Sequence, residues 1–131
     1  MRKSATFACM VLIALNFCCG ILDDDSGNDD SGWKKASVPK QLQGNWYSNN
    51  VLDIKITSSK AVIDNREWSI AEVHKKEGEY RFIIKSAIQY RAVYFRNITD
   101  TSAEKSMGYI ELTPYDAKQA SQDSWVPITK T

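Results

Sequence analysis

From Leu42 onward, apolar side chains recur at every second position in short runs. Leu52, Ile54 and Ile56 alternate with Asp53, Lys55 and Thr57, and Tyr80, Phe82 and Ile84 alternate with Arg81, Ile83 and Lys85. A period of two gives a strand one buried and one solvated face. The pattern predicts strands over 44–48, 51–57, 60–64, 67–74, 79–85, 90–97, 107–113 and 125–129. The pairs Asn49-Asn50, Ser58-Ser59, Asp64-Asn65 and Glu77-Gly78 separate them, and Asn, Asp and Gly tolerate the left-handed backbone of tight hairpins. Gaps this short leave no room for crossover helices, so neighbours pair antiparallel. The expected fold is all-β: a small antiparallel up-and-down meander barrel of seven or eight strands. One helical turn is expected over 116–122, behind Pro114, packed outside the barrel or across a mouth.

The first 36 residues follow other patterns. Arg2 and Lys3 precede the apolar run 7–15, which has the charged start and short hydrophobic stretch of a signal peptide. It is shorter than the roughly 20 apolar residues of a membrane-spanning helix. Residues 23–30 hold Asp23, Asp24, Asp25, Asp29 and Asp30 among Ser, Gly and Asn, and a stretch this polar and self-repelling is expected to be a disordered tether. The expected organisation is a signal peptide over 1–18, an acidic tether over 19–36 and the barrel domain over 37–131.

Charge and cysteine content narrow the chemistry. The overall charge of +1 divides into +2 over residues 1–19, −5 over 20–32 and +4 over 33–131. The basic residues of the body are interspersed with acidic ones, so no nucleic-acid surface is expected. Cys9, Cys18 and Cys19 are the three cysteines, which leaves the domain no thiol for a disulfide, a zinc site or a nucleophile. His74 is the single histidine and neighbours Lys75 and Lys76, where it reads as a solvated turn residue. Asp53, Glu67, Glu72 and Glu111 fall in strands, and alternation turns most of them outward. No catalytic residues, metal or cofactor are expected.

The run Leu15-Asn16-Phe17-Cys18-Cys19-Gly20 resembles a bacterial lipobox. Cys18 has Leu15 three residues before it and Phe17 next to it, whereas Cys19 follows the smaller Cys18. One of the two is the expected lipid attachment. Acidic residues just beyond also resemble the surface-export signal of Bacteroidetes lipoproteins. The phrase Leu42-Gln43-Gly44-Asn45-Trp46-Tyr47 is similar to the Gly-x-Trp opening of the lipocalin-like barrels. The resemblance implies a Trp46 at the closed end of the barrel, covered by a basic side chain from a late strand, either Arg96 or Lys130. Residues 42–94 also resemble the β-module at the front of some thioredoxin-like lipoproteins, through Gly44-Asn45-Trp46-Tyr47, Glu67-Trp68 and the hairpin Lys75-Lys76-Glu77-Gly78; the Cys-x-x-Cys of their redox domain is absent.

Together these readings imply a lipid-anchored protein of the cell envelope, in the outer membrane, on its periplasmic or surface leaflet. The membrane is its partner through the anchor. Trp46, Trp68, Tyr80, Phe82 and Tyr94 are the candidate barrel lining. If they enclose a cavity, the domain is a binding module for a small apolar ligand or an envelope protein. If they fill it, the protein is a structural or inhibitory lipoprotein that acts through its outer surface.

Overall fold

The computed structural model describes residues 32–130. The signal peptide, Cys18, Cys19 and most of the tether lie outside the described residues. From Lys35 onward the chain forms one compact unit.

The strands are β1 (Lys34–Lys35), β2 (Gly44–Ser48), β3 (Val51–Ile56), β4 (Lys60–Ile63), β5 (Arg66–Lys76), β6 (Glu79–Ser86), β7 (Gln89–Arg96), β8 (Ser102–Met107) and β9 (Val126–Lys130). Strands β2 to β9 pair antiparallel with their chain neighbours, and β9 returns to pair with β2. The result is a closed up-and-down barrel of eight strands, with β1 as an extra strand beside β5. Closure gives the strands of the ring partners on both sides, which removes the exposed edges of an open sheet.

Turn chemistry sets most of the hairpins. Asn49 and Asn50, Asp64 and Asn65, and Glu77 and Gly78 have positive φ in pairs, the backbone of a turn whose twist matches that of its flanking strands. The β6–β7 hairpin breaks this rule: its register closes at Ser86↔Gln89, and Ala87 stands at φ 54 followed by Ile88.

Two bulges interrupt the period of two. Trp46 pairs with Ile54, but Tyr47 pairs with Leu52, so Asp53 is the extra residue of β3. Ile70 pairs with Ile84 and Glu72 with Ile83, which makes Ala71 the extra residue of β5. Each bulge reverses which face the later side chains occupy. Leu52, expected inside with Ile54 and Ile56, is therefore 48% exposed. Beyond Ala71, Val73 packs on the core, and Glu72 and His74 share the outer face.

The eighth strand is displaced from its expected place. Instead of 107–113 the chain uses Ser102–Met107, a run too polar to announce a strand. Past Met107 the chain makes only isolated bridges, Tyr90↔Glu111 and Gly108↔Gln122. The helix α1 (Pro114–Gln119) is capped by Thr113, whose hydroxyl accepts the Asp116 N–H at 3.0 Å. It packs against β7 and β6 on the outside of the barrel and buries Ala117 there.

Candidate functional site

Alternate connections of an up-and-down barrel fall at opposite ends. One end receives the 3-10 helix Lys40–Leu42, the turns around Ser58 and Gly78, and the end of β9. Here Trp46 is fully buried, and its indole N–H donates to the Leu42 carbonyl at 2.9 Å. Lys130, its register partner on β9, holds its ammonium 5.0 Å from the ring centre, an attractive placement over the electron-rich face. Gly44 stands at φ +127, a conformation that L side chains rarely adopt, and lies in ordinary contact range of the Lys130 methylenes. The cation over Trp46 is thus Lys130. Arg96 is engaged elsewhere, 4.1 Å from the Trp125 ring and 2.6 Å from Glu104. Hydrogen bonding and the charge of Arg96 hold the Glu104 carboxyl below the ordinary glutamate range.

Between the ends, the interior is occupied by one contiguous apolar cluster that includes Trp46, Ile54, Trp68, Phe82, Val93 and Phe95. Phe82 and Phe95 meet at 5.1 Å between ring centres, within the usual range for tilted aromatic pairs. Of the five candidate lining residues, Trp46, Trp68 and Phe82 belong to this cluster, and Tyr80 packs against it. Tyr94 does not join them. It stands opposite Arg81 and Ser106, one residue out of phase with Val93 and Phe95, and so lies on the outer face.

Above the apolar cluster the interior carries an ion pair. Lys105 stands opposite Phe95, shares its inner face and is almost fully buried. Its ammonium donates to the carboxylate of Asp53, which the β3 bulge turns inward. Plain alternation along β3 predicts Asp53 outward, and Lys105 lies in a run too polar to predict a strand.

A second polar cluster lies on the outer face under α1. His74 is only 8% exposed, not the solvated turn residue expected, because β5 continues to Lys76 and the bulge at Ala71 places His74 opposite Arg81. Arg81 Nε donates to His74 Nδ1 at 3.2 Å, so the His74 proton is on Nε2, which faces Glu72 Oε1 at 3.2 Å. Lys118 of α1 meets the same carboxylate oxygen at 2.9 Å. The four side chains tie the helix to the barrel wall. A cleft of about 570 Å³, lined by Lys35, Ala36, Ala71, Glu72, Val73 and His74, opens beside them.

The other end of the barrel collects what the core does not bury. The large exposed apolar side chains among the described residues are Val51, Leu52, Ile88, Tyr109, Ile110, Leu112, Tyr115 and Val126. All of them fall in the Asn49-Asn50 hairpin, the Ala87-Ile88 hairpin, or the connection from β8 to β9 and its edge. The two hairpins and the start of the connection, 108–113, lie at the end opposite Trp46, while Tyr115 belongs to α1 on the outer wall. Tyr90 and Glu111 exchange backbone hydrogen bonds at 2.7 and 2.8 Å, which fixes the long connection against the Ala87-Ile88 hairpin. Arg66 braces the same hairpin by donating to Ser86 and Gln89.

No family model matches the chain, and no curated protein or solved structure does so either. Among the described residues no helix is long and apolar enough to cross a membrane.

Proposed function

We propose that the chain is a non-catalytic lipoprotein of the bacterial cell envelope, held at the outer membrane by an acyl chain on Cys18 or Cys19, and that it acts through the outer surface of a filled barrel. The observation that carries this reading is the distribution of apolar side chains. Trp46, Phe82 and Phe95 occupy the interior with no exposed surface, while a second apolar set is displayed at one end. A carrier of small apolar molecules keeps an open, concave and largely preformed site. A solid interior with a displayed apolar patch favours contact with a partner through the outside. The sequence supports the anchor: the hydrophobic run ends at a cysteine pair and no cysteine follows. His74, the single histidine, is engaged by Arg81 and Glu72, which favours a structural role for it.

Two measurements test the proposal. Acyl analysis of the full chain should find lipid on the wild type and none after Cys18→Ala and Cys19→Ala together. Acyl chains retained by that double variant would overturn the anchor. An apolar fluorescent probe should show no saturable binding, and Phe82→Ala should cost about 3–5 kcal/mol through lost transfer energy and a new cavity. Saturable binding that stabilises the domain by mass action, with a small cost for Phe82→Ala, would restore the ligand-carrier reading.

A further inference from the structure

We propose that the apolar end of the barrel seats on the lipid bilayer, with Ile88 and the connection from Tyr109 to Leu112 inserted among the head groups and the Trp46 end turned away. This inference rests on the anchored reading and names the partner of the displayed end.

Three observations carry it. The first is confinement: exposed apolar residues scattered singly are ordinary on a protein surface, but here most of them gather at one end from three segments separate in sequence. Ile88 is 74% exposed and Leu112 67%. Tyr109, exposed in the same connection as Ile110 and Leu112, is of the residue type enriched where an apolar phase meets water.

The second is turn chemistry. The other hairpins with positive φ each carry Asn, Asp or Gly in the pair, with Glu77 at φ 49 beside Gly78, whereas this tip has none of these: Ala87 stands at φ 54 and a bare Ile88 follows it. Both choices oppose folding of the hairpin, since a non-glycine residue in that conformation is strained and an exposed Ile gains nothing from the core. What sets this tip apart from the others is the exposed Ile88, an apolar choice that folding of the hairpin does not require.

The third is reach. The 13 residues 20–32 that separate Cys19 from Trp33 span at most ~45 Å. The eight-residue β6 is about 27 Å long, and the tilt of strands in a closed barrel makes the wall shorter than that. An acylated chain of this length keeps the domain at the bilayer at high effective concentration and leaves either end able to meet it. The apolar end is the one that gains by doing so. A protein partner has no comparable feature in its favour.

The test uses the full-length acylated chain on vesicles of phosphatidylethanolamine and phosphatidylglycerol, read by flotation and amide hydrogen exchange. Wild type is compared with the Ile88→Ser, Leu112→Ser double variant. Both proteins should float through the anchor. Backbone amides over 86–90 and 108–113 should exchange about tenfold more slowly in wild type, while 57–60 and 97–101, at the closed end, exchange alike. Acyl-free forms of both, made by Cys18→Ala and Cys19→Ala, should exchange alike in buffer, which separates loss of docking from loss of folding. If both acylated proteins float and exchange alike at the apolar end, docking is overturned and the anchored reading stands. If wild type does not float, the anchored reading fails and the docking falls with it. Protection found only on vesicles that retain native envelope proteins would overturn the lipid assignment in favour of a protein partner.

Discussion

Lys105 and Asp53 show how one charged pair can be held inside an otherwise apolar barrel. Each ion loses hydration on burial, and the loss is recovered only while the two stay together. Lys105 is the more deeply enclosed. Asp53→Ala should therefore cost about 2–4 kcal/mol, because it leaves the ammonium buried without its counter-ion. Combining it with Lys105→Met should recover most of that loss. Denaturant midpoints of the two variants check the claim, and a double variant no more stable than Asp53→Ala would refute it. Trp46 acts at the same scale through packing: Trp46→Ala should cost about 3–5 kcal/mol. The Leu42 carbonyl would lose its indole donor and Lys130 the ring beneath it. An unchanged unfolding midpoint would remove Trp46 from the floor of the barrel.

Among the elements, the hairpins and bulges decide which side chains face where. The Ala87-Ile88 tip carries a backbone conformation that glycine adopts without strain. Ala87→Gly should raise stability by about 1 kcal/mol, read as a higher denaturant midpoint with an unchanged slope. A loss of stability would show that the tip is not strained. Ala71 makes the converse point. As the extra residue of β5 it resets the face of everything after it, so that Val73 reaches the core and His74 the Arg81 side chain. The β3 bulge has no residue-type signature, since Asp53 sits in a run that reads as uninterrupted alternation, whereas at Ala71 the apolar positions shift phase, from Trp68 and Ile70 to Val73. The polar strand β8 hides for a related reason. Its inward residues are Ala103, Lys105 and Met107, and only the ion pair with a strand 52 residues away makes the middle one an interior residue.

At the scale of the whole molecule, the two ends differ in what they offer to the surroundings. One is sealed by Trp46, Leu42 and Lys130, and the other displays aliphatic and tyrosine side chains in water. This asymmetry makes solubility a second readout of the proposed orientation. The Ile88→Ser, Leu112→Ser variant should leave the unfolding midpoint within about 0.5 kcal/mol of wild type, since surface substitutions away from packing cost little. It should also reduce self-association of the acyl-free chain, measured by sedimentation. A large loss of stability instead would mean that these side chains support the fold.

The sequence by itself determined the all-β class, the antiparallel order, three of the turn pairs with positive φ and the placement of Trp46, Trp68 and Phe82 in the apolar face. These follow from side-chain period and local backbone preference, which act over a few residues and need no knowledge of the partner strand. Tertiary structure decided the rest. Which cation lies over Trp46, which way Asp53 and His74 point, and that Tyr94 lies outside the lining all depend on register between strands and on bulges within them. Register is set by pairing across the closed ring, where a slip of one residue exchanges the inner face for the outer. That exchange is settled by the packing of the whole barrel, not by any segment of it.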